Sequence, residues 1–163
     1  LDAFDLIRHY HDVSLLLVGK YGWKSNDLLA RIQRHPAFGE RLVHLENASD
    51  ADVRTAYGRA DCLVVPSFAE GFGLPIVEGL RHGIRVIASD IPVFREVGGD
   101  HVEFFACTNA SDLAERIVKL AQDGDAVARG APPRDMAISW TESSEQFRDV
   151  ALQLSSASDR DAP

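Results

Sequence analysis

Residues 62–89 read CLVVPSFAEGFGLPIVEGLRHGIRVIAS, and this stretch contains one complete strand–helix–strand unit. Cys62 to Val65 is a short apolar run, which predicts a buried strand. A helix is predicted next, because Pro75 suits a first helical position and the residues up to Leu80 are mostly apolar. Arg85 to Ala88 then predicts a second strand. Strands that are joined through a helix pair in parallel with a right-handed crossover, so this unit favours an α/β fold.

The same alternation of apolar runs and helical periodicity extends over most of the chain. Most strand candidates are continuously apolar, which predicts strands that are buried on both faces of a parallel sheet. The expected fold class is therefore α/β, a doubly wound parallel sheet of the Rossmann type. The predicted strands are residues 15–18, 41–45, 62–65, 85–88 and 101–105, and the predicted helices are residues 26–34, 50–59, 75–80, 112–121 and a last helix from Thr141 that carries Phe147.

Helix starts and the end of the chain indicate how the domain is organised. Ser25, Ser49 and Ser111 are predicted N-caps, since a serine side chain can accept a hydrogen bond from a free N–H in the first turn. After Leu154 the residues are small and polar. We therefore expect one domain over residues 1–154 and a polar tail over residues 155–163.

The composition of the 163 residues excludes several classes of protein. Hydrophobic residues make up 45% of the chain, too many for a disordered protein, and no apolar run is long enough to span a bilayer. Lys and Arg total 17 against 25 Asp and Glu, so the net charge of −8 argues against nucleic acid as a partner. Cys62 and Cys107 form no disulfide framework or zinc-ligand pattern, and Cys62 is expected to be a buried, unreactive thiol.

The loop that follows the third predicted strand carries the residues that best suit a binding site. Ligands of open parallel sheets bind at the carboxyl ends of strands, where this loop lies. Gly71 and Gly73 allow the backbone to approach a ligand closely, and the free N–H groups around Phe72 to Ile76 attract phosphate at the start of a helix. Glu70 and Glu78 add two carboxylates, which accept hydrogen bonds from paired hydroxyls such as those of a sugar ring.

Spacing alone leaves other interpretations of this loop open. Glu70 is equally well explained as a solvated loop residue and Glu78 as a residue on a helix surface, because loops with two glycines are common. A nicotinamide-binding enzyme is disfavoured, since Ile76 stands where the dinucleotide fingerprint has its third glycine. A metal site is not expected either, and we interpret His9 and His11, which flank a predicted helix end, as solvated residues.

Residues 66–100 read PSFAEGFGLPIVEGLRHGIRVIASDIPVFREVGGD, and they closely resemble the donor-binding domain of glycosyltransferase family 4. The resemblance rests on an E-x7-E motif from Glu70 to Glu78 and on a second motif over residues 83–100, where Arg85 replaces the usual proline. Members of this family are retaining, metal-independent enzymes, so the resemblance implies the C-terminal half of a GT-B glycosyltransferase. It extends less sharply over residues 1–150, including Val18-Gly19-Lys20 and Trp140.

The resemblance implies a role for individual residues of this chain. Glu70 would be the catalytic residue that contacts the donor sugar, and Glu78 would bind the ribose hydroxyls of the nucleotide. The nucleoside diphosphate sugar is a substrate, so no cofactor is implied. The other contacts would come from the amides of Phe72, Gly73 and Leu74 to the sugar and diphosphate, from Leu45 and Asn47 beside the base, and from Gly19 and Lys20 at the border of the cleft.

Two features of the family pattern are not found in this sequence. Family 4 donor domains begin with a strand and a loop whose Arg and Lys neutralise the diphosphate, whereas this chain opens in what resembles the following helix. We therefore expect a domain that lacks its first, central strand, as the start without Met also indicates. Lys20 and Lys24 do not stand at the equivalent place, and a surface turn explains Lys20 better than a direct phosphate contact.

The expected function is that of the donor-binding domain of a retaining glycosyltransferase, inactive on its own because an acceptor-binding N-terminal domain is missing. GDP-mannose is the favoured donor, ahead of UDP-sugars, and the acceptor is a glycan or glycolipid. The enzyme is expected to build a bacterial surface polysaccharide or glycolipid. The rest of the protein could hold this cytoplasmic domain peripherally at the inner face of a membrane. Two alternatives stay open: another GT-B enzyme such as a nucleotide-sugar epimerase, and a non-catalytic domain that binds a nucleotide or a partner.

Overall fold

The computed structural model describes residues 1–20, 22, 25–122, 144–145 and 147–149. Helices and strands alternate along residues 1–122, as the sequence predicts, and they lie in the first of two units, residues 1–132; the second unit is residues 133–163. Residues 144–145 and 147–149 are helical, whereas Lys24, Trp140, the predicted helix start at Thr141 and the tail at 155–163 lie outside the described residues.

In chain order the elements are α1 (Asp2–Ile7), β1 (Leu15–Val18), α2 (Asn26–Gln33), β2 (Leu42–Leu45), α3 (Asp50–Arg59), β3 (Cys62–Val65), α4 (Leu74–Arg81), β4 (Arg85–Ser89), α5 (Pro92–Gly98), a short 3-10 turn (Gly99–His101), β5 (Val102–Phe105) and α6 (Ala110–Gln122).

The strands of the described residues form parallel sheets, which confirms the predicted α/β fold class. β1 pairs with β2, and β3, β4 and β5 form a second sheet with β4 in the middle. In the two registers, Leu15 lies opposite Leu42 and Val65 lies opposite Ala88. The predicted strands are confirmed in position, although β2 and β5 each start one residue later than predicted and β4 ends one residue later.

β1 and β3 are edge strands in the part of the chain that the structure describes. There, β1 pairs only with β2, and β3 pairs only with β4. Each therefore has one row of backbone N–H and C=O groups without a strand partner. The expectation of a further, central strand between β1 and β3 stays a prediction, because no strand of the described residues pairs with either open edge.

Burial of the strands corrects one prediction. β4 is enclosed on both faces, since the residues from Val86 to Ser89 are all buried. In β1, however, burial alternates along the strand, and Leu16 and Val18 are 41% and 45% exposed. The prediction of a strand buried on both faces is wrong for β1, because only Leu15 and Leu17 pack against the hydrophobic core.

Helix α1 contributes side chains to two apolar clusters, one under the β1–β2 sheet and one against α6. Its Phe4 belongs to the apolar cluster that β1 and β2 cover. Its Ala3 and Ile7 pack against Ala114 of α6. α6 in turn covers the three-stranded sheet, where Leu120 is buried against β4 and β5. One short helix thus joins the two sheets through apolar contacts, whose burial stabilises the fold by about 25 cal/mol per Å².

A polar network ties α1 to the segment that follows α2. The buried His35 accepts a hydrogen bond from the N–H of Ala37 at Nδ1 (3.1 Å), and its Nε2 lies 2.7 Å from Asp5. The ring proton is therefore assigned to Nε2, which donates to the Asp5 carboxylate. Burial acts to raise the pKa of Asp5, but the hydrogen bonds from His35, Arg31 and Arg8 outweigh it and hold that pKa below its ordinary value.

Two of the three predicted helix caps need correction. Ser49 is confirmed as the cap of α3, and Asp52 completes a capping box with it. Ser25 precedes α2, but its hydroxyl donates to a preceding backbone carbonyl at 2.6 Å and does not cap the helix. α6 begins one residue before Ser111, and the Asn109 side chain accepts an N–H of its first turn at 3.0 Å. Asparagine caps helices as well as serine does. The predicted cap, Ser111, is therefore wrong, and Asn109 caps the helix instead.

Candidate functional site

Helix α4 begins at Leu74, directly after the glycine loop that follows β3. Its N-cap, Gly73, has a left-handed backbone with φ 89° and ψ 41°, which residues with a Cβ rarely adopt. A Cβ on Gly73 would also lie 3.1 Å from the ring of Phe94 in α5. Both the backbone conformation and the space therefore require glycine at this position, where the loop turns into the helix.

Consecutive amides at this helix start have no backbone acceptor in the described part of the chain, and Gly71, Phe72 and Leu74 among them are exposed. Among the described residues, the N–H groups of residues 71–74 donate to no backbone carbonyl. The range expected from the sequence is corrected at its end, since Pro75 has no N–H and the Ile76 N–H donates to the Gly73 carbonyl at 3.0 Å. Unpaired N–H groups at the N-terminus of a helix carry partial positive charge, so this turn suits an anion such as phosphate.

Glu70 lies exposed in the loop before these amides. The hydroxyl of Ser67 donates a hydrogen bond to its Oε1 at 2.9 Å. This contact comes from the same loop, so it orients the carboxylate without tying it to another element. Within the described residues, the second carboxylate oxygen accepts no hydrogen bond, and Glu70 can therefore accept hydrogen bonds from the hydroxyls of a ligand.

Glu78 lies exposed in the second turn of α4 and is held from a different helix. The hydroxyl of Tyr57 in α3 donates to its Oε2 at 3.2 Å. The ring of Tyr57 stacks on the ring of His82, with the centroids 4.9 Å apart and the planes 18° apart. Burial raises the pKa of Tyr57 to about 12, and the negative charge of Glu78 adds to the effect. The phenol therefore stays protonated and remains a hydrogen-bond donor at neutral pH.

Tyr57 is the residue of this site that sequence reasoning misses. It precedes Glu78 by 21 positions, and no motif connects a tyrosine with a glutamate at that separation. The two side chains lie on different helices, α3 and α4, so they meet only in the folded chain. His82, on which the ring of Tyr57 stacks, is the C-cap residue of α4.

A second group of predicted site residues lies at the carboxyl ends of β1 and β2. Gly19, with φ 131°, donates its N–H to the Leu45 carbonyl at 3.1 Å, so the structure brings these two residues together. The Gly19 carbonyl lies 2.8 Å from Nε2 of His44. Lys20 and Asn47 are exposed in the segments that follow the two strands.

A cavity of about 200 Å³ lies beside this second group. Its walls are mostly apolar side chains of β1 and α2, and Gly19 and Lys20 also line it. Glu70 and Glu78 do not line it, and no hydrogen bond or ion pair between described residues joins them to the second group. The structure thus places the predicted residues in two groups, each after the carboxyl end of a strand.

Two further ionisable residues, Asp90 and Cys62, are held in their charge states by their surroundings. Asp90, after β4, accepts two hydrogen bonds from the Arg95 guanidinium at 2.5 and 2.7 Å, which lower its pKa below the ordinary value. The same guanidinium lies 4.7 Å from the centre of the Phe104 ring. Burial raises the pKa of Cys62 to about 11, so this thiol stays protonated.

The two groups of predicted site residues offer a ligand the amides of residues 71–74, the carboxylates of Glu70 and Glu78 and the Lys20 ammonium. No set of three His, Cys, Asp or Glu side chains in the part of the chain that the structure describes is placed to hold a metal ion. No helix in this part of the chain is long and apolar enough to cross a bilayer. The arrangement combines an anion-binding helix start with acceptors for hydroxyl groups, which is the chemistry of a phosphorylated sugar.

The model of the family described as glycosyl transferases group 1 matches residues 1–132, which include every strand that the structure describes. The chain belongs to this family. The resemblance carried by the motifs of Glu70, Glu78 and residues 83–100 is thereby confirmed at the level of the group 1 glycosyl transferases.

This group 1 chain is similar to bacterial mannosyltransferases. It is 35% identical over 141 residues to the serotype-specific mannosyltransferase WbdA of Escherichia coli, a match that covers 86% of this chain and 17% of WbdA. It is 32% identical over 120 residues to the O-antigen chain mannosyltransferase B of Escherichia coli, covering 71% of this chain and 31% of that protein. The chain therefore spans less than a third of the length of these relatives.

Solved structures of glycosyltransferases have the same fold as this group 1 chain. Sucrose-phosphate synthase from Thermosynechococcus elongatus matches with a TM-score of 0.76 at 22% identity, covering 96% of this chain and 42% of that one. HepE from Anabaena, solved in complex with UDP and glucose, matches with a TM-score of 0.72 at 21% identity, covering 95% and 44%. Identities this low show the fold alone, which is the Rossmann-like α/β fold of GT-B glycosyltransferases.

Proposed function

We propose that this chain is the C-terminal, donor-binding domain of a retaining, metal-independent glycosyltransferase of family 4. The donor is a nucleoside diphosphate sugar, with GDP-mannose favoured over a UDP-sugar, and the acceptor is a glycan or glycolipid. One observation carries the proposal: unpaired amides at the start of α4 lie between the exposed carboxylates of Glu70 and Glu78 in the sequence. The mannosyltransferases among its relatives support mannose as the transferred sugar.

Each part of a nucleoside diphosphate sugar has a matching group in this chain. The diphosphate suits the N–H groups of residues 71–74, because a helix N-terminus offers donors and partial positive charge together. The sugar hydroxyls suit Glu70, and the ribose hydroxyls suit Glu78. The base and the border of the cleft are assigned to Leu45, Asn47, Gly19 and Lys20.

Catalysis in this proposal rests on positioning and on stabilising the leaving group. The bond that breaks joins the anomeric carbon to a diphosphate oxygen, so negative charge grows on the diphosphate. The fixed N–H groups at the start of α4 meet that charge without reorganising. The leaving diphosphate helps to take the proton from the acceptor hydroxyl, which attacks on the same face, while Glu70 orients the sugar.

The acceptor side of the reaction belongs to the rest of the protein. The chain spans 17% of WbdA and 31% of mannosyltransferase B. We therefore propose that the 163-residue chain binds the donor and does not transfer the sugar by itself. A cytoplasmic location, with peripheral membrane attachment through the rest of the protein, is part of the same proposal.

The alternative function is a domain that binds a nucleotide or a protein partner without catalysis. Phe68, Phe72 and Leu74 are exposed around the glycine loop, and exposed apolar side chains that lie together favour a partner surface. The two functions differ in whether the sugar adds to the affinity of the ligand. In a donor-binding site, the mannose of GDP-mannose adds affinity through its contact with Glu70, whereas in a non-catalytic nucleotide-binding domain it does not.

Calorimetric titration of the chain with GDP-mannose and with GDP separates the roles of the two carboxylates. Glu70→Gln should weaken GDP-mannose binding about tenfold and leave GDP binding unchanged, because it removes a charge-assisted hydrogen bond to the sugar. Glu78→Gln should lower the affinity for GDP and for GDP-mannose by the same factor, since both ligands contain the ribose. Glu40→Gln changes another exposed glutamate and should behave as the wild type.

The same titrations decide between the two functions. Equal GDP-mannose affinity in the wild type, Glu70→Gln and Glu78→Gln would refute the donor site. Equal affinity of the wild type for GDP and GDP-mannose, with a loss only in Glu78→Gln, would favour the non-catalytic nucleotide-binding domain. Titration with UDP, which differs from GDP only in the base, tests the preference for guanine; UDP should bind more weakly than GDP.

A further inference from the structure

Tyr57 contacts helix α4 at two points that are one turn apart. Its hydroxyl donates to Oε2 of Glu78 at 3.2 Å, and its ring stacks on His82 with the centroids 4.9 Å apart. Residues four positions apart lie on the same helix face, so one side chain holds the face that carries Glu78. Tyr57 belongs to α3, and the contact therefore fixes the carboxylate relative to a second helix.

The stacked ring also fixes the direction of the Tyr57 hydroxyl. Tyrosine has few rotatable torsions, and a ring held flat against His82 keeps its hydroxyl at one position. An exposed glutamate without such a contact samples many rotamers, and selecting one of them on binding weakens the affinity for a ligand. The hydrogen bond restricts Glu78 beforehand and, among the described residues, leaves Oε1 without a hydrogen-bond donor.

We propose that Tyr57 is a positioning residue for Glu78 and that the pair makes the site selective for a ribose with free 2′ and 3′ hydroxyls. The inference rests on the proposed function, in which Glu78 binds the ribose, and adds the residue that orients the carboxylate. Oε2 accepts from the phenol, and Oε1, which has no donor among the described residues, is open to the ribose hydroxyls. Because burial raises the pKa of Tyr57 to about 12, the phenol donates throughout the neutral range.

The test compares GDP with 2′,3′-dideoxy-GDP by calorimetry, because the two ligands differ only in the ribose hydroxyls. The wild-type chain should prefer GDP by about tenfold, as expected for hydrogen bonds to a charged acceptor. Tyr57→Phe removes the hydroxyl and keeps the ring on His82. It should lower the GDP affinity about two- to tenfold and leave the dideoxy-GDP affinity unchanged. Tyr10→Phe removes the hydroxyl of an exposed tyrosine and should match the wild type.

A double variant distinguishes positioning from a general loosening of the site. If Tyr57 acts through Glu78, adding Tyr57→Phe to Glu78→Gln should cause no further loss of GDP affinity. Additive losses, or an equal loss for both ligands in Tyr57→Phe, would overturn the positioning role. Thermal melting of Tyr57→Phe should give the wild-type midpoint. His82→Leu, which removes the stacked ring and keeps the Tyr57 hydroxyl, should also reduce the preference for GDP.

Failure of the inference can be told apart from failure of the proposed function. A preference for GDP that Glu78→Gln removes and Tyr57→Phe leaves intact would overturn the role of Tyr57 alone. No preference for GDP in the wild type, together with no effect of Glu78→Gln, would overturn both the ribose role of Glu78 and the inference built on it.

Discussion

The two carboxylates of the glycine loop region are held in different ways, and this difference decides what each can do. Glu70 accepts its hydrogen bond from Ser67 in the same loop, so it can follow the loop when a sugar binds. Glu78 accepts from Tyr57, so its position depends on the packing of two helices. In the proposed function, Glu70 would therefore be the adaptable contact to the sugar and Glu78 the fixed contact to the nucleotide.

Asp5 should make the stability of the chain sensitive to acid. Its pKa is held below the ordinary 3.8, since hydrogen bonds from His35 and Arg31 outweigh the effect of burial. A lowered carboxyl pKa contributes stability that is complete above 3.8 and is lost as the pH falls below that value through the folded-state pKa. Asp5→Asn should therefore lower the free energy of unfolding at about pH 7, and its difference from the wild type should shrink as the pH falls below the ordinary pKa of Asp5.

Urea unfolding between about pH 7 and about pH 3 measures this effect. Asp61→Asn, at an exposed aspartate outside the network, is the control and should keep the wild-type pH profile. A difference between Asp5→Asn and the wild type that is the same at every pH would contradict the electrostatic role of Asp5.

At the scale of the elements, two helical glycines with opposite surroundings predict opposite effects of alanine. A Cβ on Gly58 in α3 meets nothing within 4 Å, whereas a Cβ on Gly98 in α5 would lie 2.6 and 2.9 Å from the branched side chain of Val102. Gly58→Ala should raise the free energy of unfolding by up to about 1 kcal/mol, because alanine has the higher helix propensity. Gly98→Ala should lower it by about 1–3 kcal/mol, because the stiff Val102 cannot move away.

Thermal or urea unfolding of the two variants checks this pair of predictions against each other. Because both changes add the same methyl group to a helix, a shift in the same direction for both variants would show that the packing around Gly98 does not decide the outcome.

How well an element is predicted from the sequence depends on where its contacts lie. β3 and β4 follow from local apolar runs, and both are predicted at nearly their observed bounds. The predicted start of α6 is displaced, because Asn109 and Ser111 are equally good caps and only the formed helix shows which one is used. The exposed face of β1 is not predictable, since Leu15-Leu16-Leu17-Val18 is equally apolar on both sides and exposure depends on which layers cover it.

The site is predictable to the extent that it is contiguous in sequence. Glu70, the two glycines and Glu78 lie close together along the chain, so their types and spacing are enough to identify the loop. Tyr57 is not predictable, because its contact to Glu78 is made only when α3 packs on α4. The roles assigned to these residues through the resemblance stay predictions, whereas the fold and the family are confirmed.

At the scale of the whole molecule, the chain presents two sheets and two groups of candidate ligand contacts. The loop before α4 follows β3, and Gly19, Lys20 and Leu45 lie at the carboxyl ends of β1 and β2. α1 packs against the core of the β1–β2 sheet and against α6, and α6 covers the three-stranded sheet. Within the described residues, β1 and β3 each have one open edge, so the expected central strand between them stays a prediction.

In the proposed function, one nucleoside diphosphate sugar contacts both groups of residues. Titration of the isotopically labelled 163-residue chain with GDP-mannose, followed through backbone amide chemical shifts, tests it most directly. The largest changes are expected at the amides of residues 71–74 and, at the same ligand concentration, at Gly19, Lys20 and Leu45. Changes confined to one group, or saturation with shifts clustered elsewhere in the chain, would contradict it.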